Sequence, residues 1–260
     1  RKGQRWARRV SSLSAWALFE SEDFDQAEKS LFVLCVERGA EAASSVQSRR
    51  GGFCAFMDEL VTQTHTRSMA NLGPGDHACC FYTSETEHQA VVTPFLRHGL
   101  EQAKKVLYIW DSHEEESILG YLHKDGLDPG PYLSGGHLGL LSAQDVASRQ
   151  KLSGASGTVD WLRTEVELAH SEGYPELWIT GEMTWALWKL PNQEGLTQYE
   201  AALNKIVPTS QCVCLCQYDR RRFGPQMLMN ALKQHPIVAI GPGIYDNTSV
   251  LEQARGPVIV

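Results

Sequence analysis

At residues 82–92 the chain reads YTSETEHQAVV, a strand giving way to a helix. In many α/β proteins that junction holds a phosphate. Such a cradle needs glycines, so that backbone N–H groups can wrap the anion, a lysine to neutralise it and a hydroxyl to hold Mg²⁺. Here Glu85 and Glu87 stand at the helix start instead. Carboxylates there satisfy the free N–H groups and the positive end of the helix dipole, and they repel a triphosphate. A capped helix in any α/β protein explains the same acids.

Other residues with chemical potential are scattered. Cys212, Cys214 and Cys216 alternate, so on a strand the three thiols share a face. They bind a metal only if another element closes the set, such as Cys79 or Cys80. Zinc sites normally use cysteine pairs about two to four residues apart on turns, and cysteine is also a common small buried residue. The expectation is therefore no metal and no cofactor. Asp219 with Arg220, Arg221 and Arg222 is either an anion clamp or a surface loop tying its own charges together. His77 either orients a ligand or opens a strand as a hydrogen-bonded histidine. Trp185 and Trp188 lie about one helical turn apart, so at most one faces a pocket, and core packing explains either alone.

The elements that must position these residues alternate from Gly75 onward. HACCFY (77–82), KVLYIW (105–110), HLGLLSA, ELWIT (176–180), CVCLCQY (212–218) and PIVAIG (236–241) read as strands, the last of these closing the series. Helical stripes lie between them at 85–103, with Pro94 as a kink or late start, at EEESILGYLHKDG, and at 158–172, 196–207 and 224–234. Apolar strands separated by amphipathic helices imply a three-layer α/β domain with a mostly parallel sheet covered on both faces. Ligands in such sheets sit beyond the carboxyl ends of the strands. Tyr82, Thr83, Glu182, Trp185, Tyr218 and Asp219 fall there, an aromatic set with a few polar groups, as small-molecule pockets have.

Composition narrows the class. The net charge is −7, and residues 1–70 carry ten basic and nine acidic side chains, so the acidity belongs to the main body. Phosphate contacts need a basic face, which argues against nucleic-acid binding there. No apolar run approaches the roughly 18–20 residues of a membrane span, and VSSLSAWALF is too short and polar for a signal sequence. Seven cysteines without framework spacing suit a reducing interior, so the expected compartment is the cytoplasm. Opening on Arg1 rather than Met, the chain reads as a fragment or a processed product. The expected organisation is a poorly organised extension over 1–56, a linker or lead-in helix over 57–74, the α/β domain over 75–247 and a tail over 248–260.

FYTSETEHQAVVTPFLRHGLEQAKKVLYIWDSHEEESILGYL (81–122) resembles the first βαβ unit of the KaiC/RecA-like branch of P-loop ATPases, chiefly in PFLRHGLEQAKKVLYI. Counting back from that helix puts Tyr82 at the first glycine of the phosphate loop, Glu87 at the second, His88 at the lysine and Gln89 at the Ser/Thr. The resemblance implies a RecA-like scaffold with a degenerate phosphate loop. Glu182 falls where those ATPases keep the carboxylate that activates water, and Gly181 where a metal-associated aspartate precedes it. A local helix cap, or a pair with an arginine of 220–222, is the other reading of Glu182.

GPGDHACCFYTSETE, WITGEMTWAL and LCQYDRRRFGPQMLMNALKQHPIVAIGPGIYDN together resemble the MEDS family of methanogen/methylotroph sensory domains, from about Leu72 to Asn247. The resemblance implies a cytoplasmic input domain for small hydrocarbon derivatives, without ATPase activity. It also implies a histidine kinase, DNA-binding or other signalling module in cis or in trans, and leaves room for a homodimer. A nucleotide-binding ATPase with an atypical phosphate loop is the alternative.

Overall fold

A strand covered on both faces reads as a nearly continuous apolar run, and all eight residues of Cys212–Asp219 are buried, the polar Gln217 and Asp219 at its carboxyl end included. A computed structural model describes residues 67–149, 154–190, 192–241 and 243–247. Among them one sheet contains β1 (Arg67–Ser68), β2 (His77–Tyr82), β3 (Lys105–Trp110), β4 (Leu138–Ser142), β5 (Leu177–Glu182), β6 (Cys212–Asp219), β7 (Ile237–Ile240) and β8 (Gly243–Asp246). The order is β1-β8-β7-β2-β6-β5-β3-β4. From β7 to β4 every neighbouring pair is parallel; β8 runs antiparallel to β7, and β1 antiparallel to β8.

The described helices are α1 (Glu85–Glu101), α2 (Glu115–Lys124), α3 (Gly130–Ser134), α4 (Ala143–Arg149), α5 (Gly154–Ser171), α6 (Ala186–Lys189), α7 (Gln193–Ile206) and α8 (Pro225–Gln234). They divide between the two faces. Phe95 and Leu96 of α1, with Ile118 and Leu122 of α2, pack on Ala78, Val106, Trp178 and Leu215. On the other face Leu162 of α5, Leu203 of α7 and Ala231 of α8 pack on Cys79, Ile179, Cys212 and Cys214. The expected three-layer, mostly parallel α/β architecture is the observed one.

Two expectations about its limits do not hold. PIVAIG does not end the sheet, because β8 follows it. Only one residue of β8, Ile244, is fully buried, so this edge hairpin offers no apolar run to read. The lead-in also differs: Arg67 and Ser68 pair with β8, and Met69 and Leu72 are buried in the core, so residues 67–72 are part of the domain. The expectations for 1–56, for 57–66 and for the tail at 248–260 lie outside the described residues.

α1 follows β2 after only Thr83 and Ser84, and it runs on through Pro94. Its close approach to the sheet depends on Gly99. A Cβ there would lie 2.7 Å from Val106 Cγ2 and 3.4 Å from Trp178 Cβ. Val106 is short, β-branched and fully buried, so it cannot swing aside. Gly99→Ala should therefore lower stability by about 1–3 kcal/mol through overpacking, outweighing alanine's helix propensity. A urea unfolding midpoint at or above the wild-type value would contradict that.

Candidate functional site

The β2–α1 junction is closed by its own side chains. Ser84 caps α1, its Oγ accepting from the Glu87 amide at 3.2 Å. Glu87 reaches back, its Oε2 accepting from the Thr83 amide at 2.6 Å and the Thr83 hydroxyl at 2.9 Å. Two amides that a phosphate would draw on, those of Thr83 and Glu87, are thus engaged internally. His88, in the lysine position, points inward and is wholly buried, while Gln89 beside it is half-buried. Nδ1 of His88 lies 3.1 Å from the Tyr121 hydroxyl and Nε2 2.6 Å from Gln217 Oε1.

Glu182 ends β5 and is also wholly buried. Its Oε2 accepts from the amides of Asp111, Ser112 and His113 at 3.2, 2.6 and 3.1 Å, and from the Ser112 hydroxyl at 2.7 Å. Its Oε1 accepts from the Tyr108 hydroxyl at 2.9 Å. His113 Nδ1 stands 3.0 Å from Oε1, out of line for a hydrogen bond but at ion-pair distance. This carboxylate caps no helix and pairs with no arginine of 220–222. It ties β5 to the turn that follows β3. Burial opposes its charge, but the contact with His113, the charge there and the Ser112 donors prevail and hold the carboxyl at about 2. With its acceptor positions filled, it has little capacity left for Mg²⁺ or for activating water.

The polar network extends from Glu182 to the surface. His113 stacks on His88, ring centroids 4.2 Å apart, and its Nε2 lies 3.1 Å from the exposed Glu85. Tyr121 donates to Glu85 at 2.7 Å. Burial and the neighbouring His113 pull His88 down to about 4. Burial also pulls on His113, yet Glu182 and Glu85 raise it overall.

The seven residues singled out as ligand-binding do not converge. Tyr82, Thr83 and Glu182 lie at the carboxyl ends of β2 and β5, with the Tyr82 ring tilted against His88, centroids 4.5 Å apart. Asp219 ends β6 nearby but is taken up locally, accepting from Arg221 Nε and Nη2 at 2.8 Å each. Of its two readings, the geometry is that of the self-tied loop. His77 opens β2 at the far end of the strand, and Tyr218 faces the opposite side of the sheet from Tyr82. Strand alternation separates them, since neighbours along a strand point to opposite faces.

Trp185 also lies on that opposite side, where it packs edge-on against Tyr199 at 5.0 Å. With Ile109, Trp161, Leu162, Ile179, Met183 and others it walls an apolar cavity of about 40 Å³. Trp188 turns away, 52 % exposed, and donates from Nε1 to Asp111. Nothing in the sequence marks the cavity's other walls, because they come from β3, α5, α7 and β6. Tyr108 and His113 escape sequence reasoning as well, whereas Gln217 falls with Tyr218 and Asp219 among the residues expected at the end of its strand. Local spacing offers no clue to the first two; only the parallel register brings Tyr108, Thr180 and Glu182 side by side with Gln217.

Comparison with known proteins agrees with the family resemblance. Residues 76–236 match the family model described as the MEthanogen/methylotroph, DcmR Sensory domain. A transcriptional repressor, DcmR of Methylorubrum extorquens, is 26% identical over 161 residues, which are 62% of this chain and 58% of that protein. The chain thus spans less than two thirds of that relative's length. Similar solved structures include the flagellar accessory protein FlaH of Methanocaldococcus jannaschii (TM-score 0.47, 9% identity, 64% of this chain and 71% of that one). A KaiC-like protein of Pyrococcus horikoshii is another (TM-score 0.46, 10% identity, 64% and 70%). With the family model covering more than half of its residues, the chain belongs to the MEDS family of sensory domains.

Proposed function

We propose that this domain binds a small organic molecule, of the size of a short hydrocarbon derivative, in the cavity beside Trp185. It reports occupancy to a signalling or DNA-binding module in cis or in trans, without hydrolysing ATP. The observation that carries this reading is the cavity itself. Its walls are aromatic and aliphatic, and about 40 Å³ has room for roughly three water-sized groups. A nucleotide does not fit there, and the closed β2–α1 junction with Glu87 facing Thr83 offers it no cradle.

The same turn that walls the cavity also touches the Glu182 network. Met183 and Trp185 face the cavity, while Thr184 between them donates to Asp111 at 2.6 Å, and Trp188 donates to Asp111 as well. A ligand that settles Trp185 would bias the 111–113 turn through this segment, which is a route for a two-state response. The proposed compartment is the cytoplasm, consistent with five free, buried thiols among the described residues and with a relative named as a transcriptional repressor. No described helix is long and apolar enough to cross a membrane.

Two titrations of the whole chain test this. Mg·ATP in a calorimeter should give no binding heat; micromolar binding would favour the nucleotide-driven alternative, in which Glu182 serves catalysis. Short alcohols, aldehydes, amines and haloalkanes, tested by thermal shift, should include one that raises the wild-type melting temperature but not that of Gly181→Val. Gly181 borders the cavity, and its Cβ would enter at ordinary contact distance, 3.4 Å from Ile109 Cβ. Equal shifts in both proteins would remove the cavity from the mechanism.

A further inference from the structure

On the sheet face away from α1, four buried donor groups from four elements meet. His77 opens β2, Cys216 lies in β6, Glu200 in α7, and His235 follows α8. All four are buried, and their donor atoms lie within 4.8 Å of one another. Glu200 Oε2 stands 3.4 Å from His77 Nε2, 3.3 Å from His235 Nε2 and 3.8 Å from Cys216 Sγ; His77 Nε2 to Cys216 Sγ is 3.4 Å. Bonds of about 2.0–2.1 Å to nitrogen or oxygen and 2.3 Å to sulfur give tetrahedral edges of roughly 3.3–3.6 Å. Three of these four edges are of that size, and the fourth, Glu200 to Cys216, is slightly longer at 3.8 Å.

Hydrogen bonds around the cluster fix which ring nitrogen of each histidine faces inward. Asn204 Nδ2 donates to the Gln234 carbonyl, so its Oδ1 faces His77 Nδ1 at 2.9 Å and must accept from it. His235 Nδ1 donates to the Ala231 carbonyl at 2.7 Å. Both rings therefore carry a hydrogen on Nδ1 and turn Nε2 toward Glu200, so Nε2 is the atom that ligates once the ring is neutral; His235 Nε2 makes no hydrogen bond among the described residues. Metal-bound histidines are held in this way, by an acceptor on the other ring nitrogen. The Tyr218 hydroxyl donates to Glu200 Oε1, leaving Oε2 as the inward atom.

We propose that His77, Glu200, Cys216 and His235 form a closed tetrahedral site for a divalent cation of the zinc type. Two neutral imidazoles, a carboxylate and a thiolate sum to −2, so the cation is neutralised inside the core. The cation displaces the Cys216 thiol proton to solvent, and no bond other than S–H is broken. The mixed nitrogen, oxygen and sulfur set suits zinc, whereas magnesium and calcium prefer oxygen alone. The ion would pin α7 and the end of α8 to the two central strands. The second histidine group, Glu85, His88 and His113, lacks this character, because both nitrogens of His88 already face Gln217 and Tyr121.

The test is a titration of the chelator-treated whole chain with Co²⁺, then with Zn²⁺ in competition. One equivalent of Co²⁺ should give intense tetrahedral d–d bands and a thiolate-to-cobalt charge-transfer band, both removed by Zn²⁺. Cys216→Ser should lose the charge-transfer band, and His235→Gln should weaken binding at least tenfold. X-ray absorption on the zinc-loaded wild type needs no variant: it should show one sulfur and three nitrogen or oxygen neighbours. A folded wild type that binds neither ion, a shell without sulfur or with several, or unchanged binding in both folded variants would overturn the site. In the first of these outcomes a shared proton, and not a cation, holds the four groups together.

Discussion

Glu182→Ala should lower the unfolding free energy by about 3–5 kcal/mol, among the largest single-residue effects in this domain. The change deletes the acceptor for three backbone amides and two hydroxyls. Those donors lose their partner together, the Tyr108 hydroxyl among them fully buried. It also leaves His113 facing an uncompensated gap at the end of β5. Glu182→Gln keeps one acceptor oxygen and the side-chain volume, so it should cost less, about 1–3 kcal/mol. Urea unfolding of the three proteins measures both. The sign also separates two roles for this carboxylate. A catalytic acid is commonly held at some cost in stability, and its removal leaves the fold unharmed or firmer. Should Glu182→Ala prove as stable as the wild type, the carboxylate is not a structural tie, and an enzymatic role regains its footing.

Acidification should unfold the domain in two stages from a stability maximum near pH 6–7. The first belongs to His88, held down at about 4 in the folded state against an ordinary value of 6.5. Below pH 6.5 the unfolded chain takes up a proton that the folded chain refuses, so stability falls until about pH 4. The second belongs to Glu182, at about 2 when folded against 4.5. Its contribution is fully present above 4.5 and is lost as the pH falls towards 2. Each stage amounts to roughly 3 kcal/mol, since both groups are fully buried and each tenfold change in proton affinity is worth about 1.4 kcal/mol. His113 acts on the other limb: raised in the folded state, it stabilises below 6.5 and loses its contribution as the pH rises through its folded value. Urea midpoints measured across pH test the scheme. His88→Gln should abolish the stage between 6.5 and 4 and keep the lower one; a profile flat from 7 to 4 in the wild type would refute it.

The elements were legible where local chemistry is sufficient. Glu85 and Glu87 mark a helix start in the sequence, and α1 begins there. The period-two cysteines of β6 do share a face, as strand geometry requires. Short or edge elements were not legible: β1, β8 and α3 bury too few residues to leave a pattern. The site was legible only in part. Glu182 and Trp185 stand out as polar or aromatic residues just after an apolar strand, and Glu87 and His88 as foreign residues in a phosphate-loop frame. Nothing local marks Glu200, Asn204 or His235, which sit in ordinary amphipathic stretches and become special by meeting His77, more than a hundred residues away.

By itself, then, the sequence determined the α/β class, the family, and the absence of glycine and lysine at the β2–α1 turn. These depend on the backbone's local preferences and on a linear order of residue types. Tertiary structure alone decided which side of the sheet each candidate faces. It divided His77 and Tyr218 from Tyr82 and Glu182, filled the acceptors of Glu182 with amides of a distant turn, and placed the cavity behind Trp185. The physical reason is that strand register and helix docking are set by burial summed over the whole core. A side chain's chemical surroundings are therefore not a property of its own stretch of chain.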